Sequence, residues 1–79
     1  MEARDLTKIQ HHVLKGLVAS GGTGNAIELL KNEIIEFQAG FDFVNDLQNL
    51  DLVKILYSNF NKNLVVAELT LLGEQLAKS

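Results

Sequence analysis

Apolar residues recur at helical spacing over the first two-thirds of this chain and at every second position near its end, which predicts helices followed by a ribbon. Leu6, Ile9, Val13, Leu14, Leu17 and Val18 share one helical face, with Lys8, His11, His12 and Lys15 between them. That spacing gives an amphipathic helix of about three to four turns. Thr7 followed by Gln10 forms a capping-box pattern at its start, Asp5 is an equally good N-cap, and Ser20-Gly21-Gly22 ends it. Asn25, with Glu28 three residues on, reads as the N-cap of a second helix. Ile27, Leu30, Ile34 and Phe37 extend that helix to Phe37. A rival reading stops it at Asn32 and makes residues 33–37, EIIEF, a short strand.

Gln38-Ala39-Gly40 reads as a tight turn. Phe41, Val44, Leu47 and Leu50 then fall every three residues, with Phe43 widening the face and Asp42, Asn45, Asp46, Gln48 and Asn49 opposite. A third helix of about ten residues follows, with Asp42 near its positive N-terminus. From Leu52 the period changes: Val53, Ile55 and Tyr57 alternate with Lys54, Leu56 and Ser58, and Val65, Ala67 and Leu69 with Val66 and Glu68. Both runs read as strands, joined by Asn61-Lys62-Asn63, where asparagine tolerates a left-handed backbone. Thr70 then caps a last short helix with Leu72 and Leu76 on one stripe. The fold class is α+β and mainly helical, in one domain spanning 1–79, without repeat, linker or low-complexity segment.

Composition narrows the function more by exclusion than by assignment. There is no cysteine in the 79 residues, so neither disulfides nor thiolate metal sites contribute, and a reducing, cytoplasmic setting is the expectation. The start, MEARDLTKIQHH, lacks the apolar core of a secretory signal. The longest apolar run, Leu64-Val65-Val66-Ala67, is far shorter than the roughly 20 residues of a membrane span, so a soluble protein without membrane partners is expected. Ten acidic against seven basic residues give a net charge of −3, which lacks the broad positive field of non-specific nucleic-acid binders.

The segments AIELLK, FDFVNDLQNLDLVKIL and LVVAELTLLGEQLA, in this order, resemble the winged-helix domains of small prokaryotic regulators, such as the MarR and PadR types. The last is the most telling, because Thr70 caps the helix leaving the ribbon and Gly73 lets its first turn approach a neighbour closely. The resemblance covers nearly the whole chain through degenerate motifs. It implies three helices, a two-stranded hairpin wing, a short closing helix, and a DNA-binding regulator acting as a homodimer on double-stranded DNA. On it, Asn45, Gln48 and Asn49 are candidates for base contacts, Lys54 and Lys62 for phosphate contacts, and Leu71, Leu72 and Leu76 of the last helix, or Leu6 and Ile9 of the first, for the dimer seam. The third helix departs from the pattern: it carries acids and no Lys or Arg. The alternative is therefore a protein-interaction module of the same shape that does not bind DNA.

Other motifs have plainer readings. SGGTGNA has no Gly-Lys-Ser/Thr end and follows a helix, so a helix C-cap followed by an N-cap explains it better than a phosphate loop. His11 and His12 are adjacent and point about 100° apart on a helix, which is poor geometry for one metal. No Ser, His and acid arrangement suggests an enzyme, and no cofactor is implied.

Overall fold

The computed structural model describes residues 3–32, 34 and 36–78, and their side chains from Lys8 onward. Helix α1 (Ala3–Ala19) leads into strand β1 (Thr23–Asn25) and helix α2 (Ala26–Leu30). Helix α3 (Phe37–Asn49), strand β2 (Val53–Asn59), a 3₁₀ turn (Phe60–Lys62), strand β3 (Leu64–Leu69) and helix α4 (Leu71–Lys78) follow. The strands form one antiparallel sheet in the order β1-β3-β2. Its inner face meets the helices through Val13, Leu14 and Leu17 of α1, Leu30 of α2, Val44 and Leu47 of α3, and Val53, Val65 and Ala67 of the sheet, all buried. Full burial of each large aliphatic side chain stabilises the fold by about 1.5–3 kcal/mol, which lets a chain of this size hold together without staples.

Local chemistry sets the ends of these elements. After α1, Gly21 takes φ 85°, the Gly22 N–H donates to the Leu17 carbonyl at 2.7 Å, and the Gly21 N–H to Val18 at 3.0 Å. This is the Schellman closure that glycine allows at low cost. Helix α3 closes in the same way on a non-glycine residue. Asp51 takes φ 64°, with Leu52 N–H to Leu47 O at 3.0 Å and Asp51 N–H to Gln48 O at 2.9 Å. Asn63, at φ 49°, supplies the left-handed residue of the ribbon turn. A bulge between Ile55 and Tyr57 breaks the β2–β3 register.

Several expectations change. Helix α1 already contains Asp5 and Thr7, so neither caps it. Of the capping box expected at α2, the Asn25 half forms: its Oδ1 accepts from the Ile27 N–H at 3.1 Å, while Glu28 pairs with Lys31 at 2.9 Å. Helix α2 stops at Leu30 instead of reaching Phe37. Glu33 and Ile35, in the rival strand reading over 33–37, lie outside the described residues, while Phe37 is helical. Gln38-Ala39-Gly40 is no turn but the start of α3. Gly40 is buried there, and a Cβ on it would stand 2.9 Å from Ile27 Cδ1, so the residue serves close helix packing. The sheet has three strands where two were expected, because Thr23–Asn25 pairs along β3.

Asn25 joins these parts. Its Oδ1 also accepts from the Val65 N–H at 3.0 Å, and its Nδ2 donates to the Asn63 carbonyl at 3.3 Å. One side chain thereby starts α2 and holds β3 and the ribbon turn. Asn25→Ala leaves two backbone donors without their acceptor and is expected to lower stability by about 2 kcal/mol in urea unfolding. Asn25→Asp keeps the acceptor and loses about 1 kcal/mol or less, so equal losses for the two variants would contradict this role.

Candidate functional site

The expected DNA-contact residues lie on α3 and on the ribbon beside it. The ribbon runs antiparallel to α3, as contacts at both ends show. Near the end of α3, Gln48 Oε1 accepts from the Ile55 N–H of β2 at 2.8 Å. At its start, Phe37 packs on Phe60 of the 3₁₀ turn, with ring centroids 4.3 Å apart and a tilt of 49°. Phe41 continues the cluster, 6.4 Å from Phe37. Tilted and offset aromatic pairs at such distances are favourable. The ribbon tip is thus seated on the beginning of α3.

This arrangement assigns the polar side chains of α3 unevenly. Gln48 supplies the acceptor for a strand amide next to the bulge, and its Nε2 donates to Asn45 Oδ1 at 3.3 Å. Both residues are half-buried, whereas Asn49 is exposed. The outward stripe of the helix contains Gln38, Asp42, Asp46 and Asn49, with Gln38 Nε2 donating to Asp42 Oδ1 at 2.9 Å. Neither Asp42 nor Asp46 has a cationic partner among the described residues. This face therefore projects negative charge.

Lys54 and Lys62 are both exposed, and neither is in an ion pair among the described residues. Lys54 lies in register opposite Glu68 of β3, and the Lys62 N–H donates to Asn59 Oδ1 at 3.2 Å. Lys54 is near the start of β2 and Lys62 in the 3₁₀ turn beyond its end; the seven residues of β2 span roughly 20 Å, so the two form no single basic patch.

The expected seam residues Leu71, Leu72 and Leu76 are all exposed, Leu71 by 72%. Sequence reading missed Leu50, Leu56, Tyr57 and Phe60, which add exposed apolar surface near α3 and the ribbon. Leu56 lies at the bulge, and a bulge leaves no trace in an alternating pattern. Helix α4 is held at both ends. Thr70 Oγ1 accepts from the Gly73 N–H at 3.0 Å and donates to the Asp51 carbonyl at 2.6 Å. A Cβ on Gly73 would collide with the Leu52 carbonyl, so the close approach expected from the sequence is present. The two histidines serve different helices: Nε2 of His11 donates to the Leu76 carbonyl and that of His12 to the Leu29 carbonyl, each at 2.9 Å.

Comparison with protein-family models, curated proteins and solved structures gives no match for this chain.

The role of Gln48 is open to direct measurement. Gln48→Ala removes the acceptor of a half-buried strand amide and is expected to cost about 1–2 kcal/mol in chemical denaturation. Asn49→Ala, one residue on and exposed, is expected to change stability by less than about 0.5 kcal/mol. Equal effects would contradict the assignment.

Proposed function

We propose that this chain is a winged-helix-shaped protein-interaction module whose α3 face does not read DNA. The succession of three helices, an antiparallel ribbon and a capped closing helix supports the shape. One observation carries the functional choice: the outward stripe of α3 presents Asp42 and Asp46 without any Lys or Arg on that helix. Acids on a groove-facing helix oppose the phosphate attraction that supplies most non-specific affinity. Of the three amides suited to base contacts, Gln48 is engaged with Ile55 and Asn45 with Gln48, which leaves only Asn49 exposed. Exposed Leu50 at the end of α3 and Phe60 against Phe37, with Leu56 and Tyr57 exposed on the ribbon, suit a protein partner, since aromatic and apolar anchors dominate such contacts.

A second reading rests on Lys54 and Lys62, which are exposed and have no ion-pair partner among the described residues. In that case the ribbon alone touches the DNA backbone. Two phosphates neutralised per chain would give a log–log salt slope of about −2, falling to about −1 in Lys62→Ala.

A salt titration with generic duplex DNA separates the two. The protein-contact reading expects affinity weaker than about 10⁻⁴ M even at low salt. Saturable binding with the stated slope, reduced by Lys62→Ala, would overturn it in favour of DNA.

A further inference from the structure

We propose that the concavity between the end of α1 and the start of α4 receives a lysine or arginine side chain carried on an apolar segment of a protein partner. This deepens the protein-contact reading and rests on it. The concavity has a volume of 540 Å³, with Val18, Thr23, Glu68, Leu69, Leu71 and Glu74 in its lining. Val18, Leu69 and Leu71 offer apolar surface to the methylene stem of a long cationic side chain, while Glu68 and Glu74 offer charge to its head. Among the described residues, no Lys or Arg lines the space.

Two further features favour a cation. The 17-residue α1 ends at this rim and has no basic residue in its last turn, so its negative end is not offset from within the helix. Glu68 has no ion-pair partner among the described residues, although Lys54 lies opposite it on β2. Glu74 is more engaged: it is 3.5 Å from exposed Lys78 and also answers the positive end of α4. Glu68 is thus the main anchor, and Glu74 supports it by exchanging one exposed lysine for the partner's. The occupant needs apolar residues around its cation because Leu71, 72% exposed, stands at the rim where an isolated amine would leave it uncovered.

The probe is the acetylated, amidated peptide Ala-Leu-Arg-Leu-Ala, titrated against the intact chain and followed by amide chemical shifts. A second peptide carries neutral citrulline in place of arginine. The expected result is saturable shifts confined to residues 18–23 and 68–74, with affinity reduced at least about tenfold by citrulline or by Glu68→Gln. Glu68 is exposed, so the remaining spectrum of that variant is expected to stay unchanged. Shifts without saturation, or equal affinity for both peptides, would overturn the proposal. Shifts centred on Asp42 and Asp46 would overturn it while leaving the protein-contact reading intact. Concentration-dependent shifts at the concavity without peptide would make a second copy of the chain the occupant, and would likewise overturn it.

Discussion

Where α3 ends, the main chain turns through a left-handed Asp51, and the carbonyls of Asp51 and Leu52 are presented to the far end of the ribbon. Thr70 meets both: its hydroxyl donates to Asp51 at 2.6 Å and its N–H to Leu52 at 3.1 Å. The same hydroxyl caps α4 through Gly73, which has room beside the Leu52 carbonyl only because it lacks a side chain. Four elements are tied at this point: α3 and β2 by the turn itself, β3 and α4 by Thr70. With the ribbon base fixed here, Gln48 meets Ile55 and Phe60 reaches Phe37. The surface of α3 left to solvent is then the acidic stripe, and the functional reading follows from that orientation.

Those features written in local chemistry were legible in the sequence. The Asn25 and Thr70 caps, the glycine closure of α1, the close approach at Gly73 and the two alternating strands each depend on a few neighbouring residues. What was not legible depends on partners distant in sequence. Thr23-Gly24-Asn25 has no apolar rhythm and becomes a strand only because β3 lies beside it. Phe37 fits the spacing of Ile27, Leu30 and Ile34, yet it fits Phe41 and Val44 equally well, and it belongs with them. Gly40 suggested a turn, but the proximity of Ile27 explains it inside a helix.

The surfaces were legible in composition more than in geometry. The acidic character of α3 could be read directly, and so could the lone lysine at the ribbon tip. The engagement of Gln48 could not, because it requires the edge strand of the ribbon to fold back along α3. The concavity beside Leu71 was equally hidden, since residues from α1, β1, β3 and α4 line it. The leucines marked as a dimer seam proved exposed, and the concavity now gives one of them, Leu71, a more specific setting.

Native-state amide hydrogen exchange tests the docked ribbon most directly. The N–H groups of Ile55, Val65, Thr70 and Gly73 have their acceptors on Gln48, Asn25, Leu52 and Thr70 respectively. If these bonds hold the ribbon and α4 to the helices, all four amides exchange slowly and open with the core. Exchange of Ile55 and Thr70 at the rate of an exposed amide such as Asn61, with the core still protected, would show a ribbon free of α3 and remove the basis for the orientation described.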